Sequence, residues 1–225
     1  MIPWTMLAKA QTPGNGVELC LYQRGAEFSI KADTYELMNS RVHGSEDSLG
    51  TLACKNIATK PRARVLIGGL GMGYTVRSAL DGLGTTAQVI VAELVPDVVQ
   101  WNRGVLAELA GSPLDDSRVT VHETDVAKLI TTAQGGYDAI MLDVDNGPWA
   151  LTLDNNNWLY SRKGLETSFS ALRPKGVLAI WSADPDPVFV RRLHTAGFQV
   201  DEVRARARGG RKGGGHHIVW IATRT

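Results

Sequence analysis

Three carboxylates and a run of glycines carry the chemistry legible in this chain. Gly69, Gly71 and Gly73 alternate directly after the apolar run Val65-Leu66-Ile67, and Glu93 closes the next apolar run, Val89 to Ala92. Alternate glycines let a backbone turn sharply off a buried strand and approach a ligand closely, because no Cβ intervenes. An acid about 20 residues further on, at the end of the following strand, suits a pair of ribose hydroxyls. A dinucleotide loop reads G-x-G-x-x-G, and here its third glycine falls on Tyr74. The G-x-G-x-G spacing instead suits a nucleoside without a pyrophosphate, such as S-adenosylmethionine.

Asp125 and Asp143 extend the pattern. Each follows a short apolar segment, Arg118–His122 and Tyr137–Leu142, so three strands deliver Glu93, Asp125 and Asp143 to one rim. Ligands of open α/β sheets bind at the carboxyl ends of the strands, where Asp125 could accept the adenine amine. Asp125 equally suits the cap of a helix starting at Val126.

These residues need an alternating β/α frame. After Arg64 the pattern predicts a strand, the glycine turn, a helix over Tyr74–Leu80, a strand over Ala87–Glu93, a helix, and then the strands ending near Asp125 and Asp143. A helix over Gly164–Leu172, a strand over Val177–Trp181, a helix over Pro187–Thr195 and strands over Phe198–Arg206 and His217–Ala222 complete the body. The expected fold class is α/β, a Rossmann-like, mostly parallel, doubly wound sheet closing in a C-terminal antiparallel hairpin. Residues 1–60 read as an N-terminal extension: a β-hairpin of Glu18–Tyr22 and Glu27–Ile30, then a helix opened by Ser45-Glu46-Asp47 and running through Ile57. It is expected to cover the ligand mouth of a catalytic domain over 61–225.

With 225 residues, 44% of them hydrophobic, and a formal charge of +1, the chain can bury a core without disulfides. A near-neutral balance supplies no general field for nucleic acid or an anionic membrane. Cys20 and Cys54 lack a C-x-x-C partner and read as reduced buried thiols, and His216-His217 has no second ligand pair to make a metal site. The absence of a leader-like or membrane-spanning apolar stretch points to a cytoplasmic protein.

Val65 to Gly73, Val91 to Val99, Leu114 to Val119 and Tyr137 to Asp143 resemble successive motifs of the spermidine synthase family, a branch of the class I S-adenosylmethionine-dependent methyltransferase fold. The resemblance spans about Arg64 to Leu193. It implies that Gly69, Gly71 and Gly73 line the loop, Glu93 binds ribose, Asp125 binds adenine and Asp143 lies beside the sulfonium. Homodimers are common in the family, and the resemblance implies one here.

Two departures bear on the group transferred. Spermidine synthases carry an aspartate at the position of Gly71 that holds the amine of the aminopropyl donor, and two small hydroxyl residues followed by a base after the fourth strand. Here that second segment is Asp143-Val144-Asp145-Asn146-Gly147-Pro148, so the base is Asp145 or its position is taken by Asn146. Related putrescine N-methyltransferases also lack the loop aspartate. The expectation is therefore methyl transfer from S-adenosylmethionine to a small amine, with aminopropyl transfer from decarboxylated S-adenosylmethionine as the alternative.

An amine of pKa about 10 must lose a proton before it can attack, so a carboxylate such as Asp145 serves as attractor and base, unless Asp145-Asn146 merely forms a turn. Trp149, Tyr160 and Asp184 are the candidate acceptor-binding residues, since aromatic faces and acids suit a cation. Arg204, Arg206 and Arg208 form one face of a strand continued by Arg211 and Lys212. They leave a second alternative, a non-catalytic or RNA-linked binding protein, although a solvated edge explains them as well.

Overall fold

The computed structural model describes residues 2–14, 16–144, 157–208 and 215–225, with Asn157 defined by its backbone alone. Strands β1 (Thr5–Gln11), β2 (Glu18–Arg24), β3 (Glu27–Ala32) and β4 (Tyr35–Asn39) form an antiparallel sheet in that order. The expected hairpin is its centre, β2 paired with β3. The two outer strands escape sequence reading because their apolar residues do not alternate with burial: Met6 and Leu7 of β1 and Tyr35 of β4 are exposed. Helix α1 (Gly44–Cys54) is shorter than expected. It gives way to turns in which Ile57 N–H donates to Cys54 O and Lys60 N–H to Ile57 O.

The body follows as β5 (Arg64–Gly68), α2 (Tyr74–Gly82), β6 (Gln88–Glu93), α3 (Pro96–Arg103), β7 (Val119–Glu123), α4 (Val126–Thr132) and β8 (Tyr137–Leu142). After these come α5 (Asn157–Tyr160), α6 (Arg162–Ala171), β9 (Leu172–Ser182), α7 (Pro187–Thr195), β10 (Phe198–Arg206) and β11 (His216–Arg224). The strands form a seven-stranded sheet in the order β10-β11-β9-β8-β5-β6-β7. β5 pairs in parallel with both β6 and β8, whereas β11 runs antiparallel to β9 and β10. The fold is therefore the expected Rossmann-like one with a C-terminal antiparallel hairpin. Strand β9 starts at Leu172 rather than Val177, because Pro174-Lys175-Gly176, a turn by composition, is absorbed as an irregularity with Lys175 at φ 64°.

Sequence order reverses direction between β5 and β8, and their carboxyl ends leave a crevice. Strand β8 is buried along its whole length, as a central parallel strand should be. Its one charge, Asp138, accepts from Arg64 N–H at 2.8 Å and from Arg173 Nη1 at 2.7 Å, with Lys60 Nζ at 2.5 Å. That anchor fixes β5, β8 and β9 at the end away from the crevice. On one side of the sheet Ile67, Val76, Ala79 and Met141 pack with Leu49 and Ala53 of α1, and on the other Ile140, Ile180, Leu165 and Phe189 form the second core layer.

Candidate active site

The glycine loop leaves β5 through a turn that only glycine accommodates. Gly69 has φ 87°, and a Cβ there would lie 2.3 Å from the carbonyl oxygen of Asp143. The loop is also tied down from several sides. Gly69 N–H donates to Ala92 O at 2.9 Å, Leu70 N–H donates to Glu93 Oε2 at 2.9 Å, and Asn102 Nδ2 of α3 donates to Gly71 O at 2.8 Å. The other oxygen of Glu93 accepts from Val95 N–H at 2.9 Å. Glu93 is thus a brace for the loop as well as an acid on the rim.

Two adjoining cavities open at this crevice. The first encloses about 840 Å³ including its mouth, and its walls include Gly69, Gly71, Glu93, Asp125, Asp143 and Val126. The N-terminal sheet closes it through Thr12, Leu19, Ile30, Leu37 and Met38. A mostly apolar cleft with a few acids fits an adenosyl group. Asp125 also caps α4, accepting from Ala127 N–H at 2.8 Å, so its two expected roles are compatible. Gly73, at φ 85°, starts α2 and faces Asn102 and Pro113 rather than either cavity.

The second cavity, about 650 Å³, is acidic and aromatic: Glu46, Asp143, Tyr74, Trp181 and Asn39 line it with Met38, Gly71 and Leu70. Asp143 and Gly71 belong to both cavities. Asp143 is half-buried and accepts from Thr75 Oγ1 at 2.6 Å. Burial pushes its carboxyl above the ordinary range, against the Thr75 hydrogen bond. Glu46 of α1 is raised as well, by burial first and by the neighbouring Asp143 charge second. Two carboxyls that resist ionisation together form a site with a strong appetite for a cation. Tyr74 stacks on His43 with centroids 3.9 Å apart, and burial raises its phenol to about 12. The Trp181 indole N–H is buried and has no hydrogen-bond partner among the described residues.

Other expected residues fall elsewhere. Tyr160 is a core residue, 2% exposed, packed edge-on against Phe189, with its hydroxyl 3.3 Å from Val144 O. Asp184 is exposed on the loop between β9 and α7. Asp145, Asn146 and Trp149, with Arg211 and Lys212, lie outside the described residues. Arg204, Arg206 and Arg208 are exposed, as a row on the edge strand β10 and just beyond it. Glu46, Thr75, Asn102, Met38 and Trp181 were not legible as site residues. Glu46 reads locally as a helix-opening acid, and Trp181 as the end of a strand. No helix among the described residues is long and apolar enough to cross a membrane.

The sequence profile of the spermine/spermidine synthase domain matches residues 52–188. A polyamine aminopropyltransferase of Prochlorococcus marinus (strain AS9601) is 28% identical over 126 residues, 56% of this chain and 42% of the relative. Polyamine aminopropyltransferase 2 of Pseudomonas aeruginosa is 29% identical over 157 residues, 65% of this chain and 42% of the relative. The chain thus spans about two fifths of the length of these curated relatives. The crystal structure of spermidine synthase from Thermotoga maritima superposes with a TM-score of 0.75 at 16% identity, covering 98% of this chain and 73% of that one. Relatives that are aminopropyltransferases overturn the expectation of methyl transfer drawn from Gly71. The physical reason is that Glu46 and Asp143 bring two half-buried carboxyls to the cavity that Gly71 lines, so a missing loop acid does not leave it without one. With more than half of its length matched by the family profile, the chain belongs to the spermine/spermidine synthase family.

Proposed function

We propose that this protein transfers an aminopropyl group from decarboxylated S-adenosylmethionine to a small, cationic amine. The observation that carries the reading is the placement of Asp143, which lines both cavities, beside a second half-buried acid, Glu46. The adenosine moiety occupies the first cavity, with Glu93 and Asp125 as acceptors for its ribose hydroxyls and adenine amine. The sulfonium supplies an activated carbon and a good leaving group. The protein's task is to hold a neutral amine in line with that carbon, a task of positioning. Glu46 and Asp143 draw in the ammonium ends of donor and acceptor, and Tyr74 and Trp181 present ring faces that favour cations.

A carboxyl raised toward neutrality suits removal of a proton from an amine, since it accepts the proton without being protonated beforehand by bulk water at pH 8. Asp145 remains a further acid of this segment. The acidic second cavity also opposes the amino-acid carboxylate that intact S-adenosylmethionine carries. Incubation with the decarboxylated donor and a panel of diamines, read by product mass, tests the proposal. The expected product is the amine enlarged by one aminopropyl unit, together with methylthioadenosine. Methylated amine from S-adenosylmethionine, with no aminopropylated product, would overturn it.

A further inference from the structure

A continuous hydrogen-bonded path leaves the second cavity through α1 and β11. Ser45 Oγ donates to Glu46 Oε2 at 2.6 Å, and the same oxygen lies 2.8 Å from His217 Nδ1. Ser45 is fully buried, whereas His217 is half-buried, its ring edge-on to Trp181 at 4.8 Å. The three side chains come from distant parts of the sequence and span the distance from a ligand cavity to a partly exposed ring. We propose that Glu46, Ser45 and His217 form a proton relay that carries the proton shed by the acceptor amine out of the site. The inference rests on the aminopropyl-transfer reading for the source of that proton.

The balance is simple. The acceptor ammonium gives one proton to the Glu46 carboxylate, and its freed lone pair forms the new C–N bond. The C–S bond breaks with its electron pair going to sulfur, leaving a neutral thioether and a secondary ammonium. One proton per turnover therefore remains on Glu46. Protonated Glu46 donates it to Ser45 Oγ, the hydroxyl passes its own proton to His217 Nδ1, and the imidazolium releases the proton on Nε2 to water. Glu46 is then a carboxylate again, accepting from Ser45, while Nδ1–H donates to Ser45 Oγ. Before the next turnover the half-buried ring exchanges its Nδ1 proton for one on Nε2 through water, which restores the starting tautomer. The serine hydroxyl can serve both states because it accepts from one neighbour while donating to the other.

The charges around the path are compatible with this direction. Glu46 faces Asp143 just after β8, Tyr74 from α2 and His43 at the start of α1, and its carboxyl is raised. His217 faces Asp184 from the β9–α7 loop, and burial lowers its ring below the ordinary value despite that charge. The ring is therefore a transient carrier: the hop onto it from Glu46 is uphill, and its onward loss to water is downhill.

His217→Asn separates a relay from a structural role, because the Asn amide can still bond Ser45 but cannot carry a proton. The expected result with decarboxylated S-adenosylmethionine and putrescine is a kcat lower by roughly tenfold or more, within what positioned proton transfer contributes. KM for the diamine should change less than twofold, methylthioadenosine binding should be retained, and added imidazole should rescue His217→Ala. A His217→Asn enzyme with wild-type kcat would overturn the relay. If the wild-type protein forms no aminopropylated product, the transfer reading fails separately, and the ring titration judges the path. Glu46→Gln should shift the His217 ¹⁵N titration, and an unmoved titration would overturn the connection.

Discussion

Leu70 N–H donates to Glu93 Oε2 at 2.9 Å, so the acid at the end of β6 holds the glycine loop in place before any nucleoside is bound. Since Val95 N–H uses the other oxygen, Glu93→Ala would strand two backbone donors in a largely buried place. The expected cost is about 2–6 kcal/mol at roughly 1–3 kcal/mol per unsatisfied group. Chemical denaturation of the variant checks it, together with methylthioadenosine titration, where affinity should fall at least tenfold. Unchanged stability would mean that the loop is braced by other contacts.

Asn102 performs a related task from α3, donating to both Gly71 O and Val98 O. Asn102→Leu keeps the volume and removes both bonds. It should cost about 1–2 kcal/mol of stability and raise KM for the donor more than it lowers kcat, because the residue shapes the loop without lining either cavity. Steady-state kinetics with the donor varied would show the split.

Gly71 adopts φ 52°, and a Cβ there would meet Met38 Sδ at 3.0 Å and Cε at 3.2 Å. Asp tolerates this backbone region better than most residues, so the obstacle to a loop acid is the methionine. Gly71→Asp alone should destabilise the fold by about 1–2 kcal/mol through overpacking. Combining it with Met38→Ala should recover part of that loss, giving a favourable coupling energy in a double-mutant cycle. Strict additivity would show that Met38 moves aside freely.

Glu46 and Asp143 retain protons in the folded state that the unfolded chain releases near pH 4. The folded form then binds more protons, so stability is greatest below the ordinary carboxylate range and declines as pH rises toward the raised values, up to about 7 for Glu46. Glu46→Gln should therefore flatten the decline between pH 4 and 8 and, at pH 8, exceed the wild type by about 2 kcal/mol, less than the roughly 3 kcal/mol of the full shift because the group is only half-buried. Melting curves across that range test the sign. A variant less stable than wild type at pH 8 would contradict it.

The frame of the site is legible in sequence because it rests on local rules. Val65 to Gly73 spells strand and turn, and Glu93, Asp125 and Asp143 occupy strand ends that periodicity locates within a residue or two. The acid pair of the second cavity and the side chains bonded behind it are built differently. Glu46 comes from a helix that precedes the β/α body, Thr75 from the first turn of α2, and His217 from the last strand. Their meeting depends on tertiary packing of α1 against α2 and the sheet, which no spacing rule encodes. Tyr160 shows the opposite: an aromatic in an apparently functional segment is packed into the core beside Phe189.

The central claim is that the half-buried acid pair selects a cationic aminopropyl chain and disfavours an amino-acid carboxylate. Titration calorimetry of the wild-type protein with decarboxylated S-adenosylmethionine and with S-adenosylmethionine, repeated on Glu46→Gln, tests it most directly. The account predicts binding of the decarboxylated donor at least tenfold tighter in the wild type, with the preference reduced in the variant. Equal or tighter binding of intact S-adenosylmethionine to the wild type would contradict it.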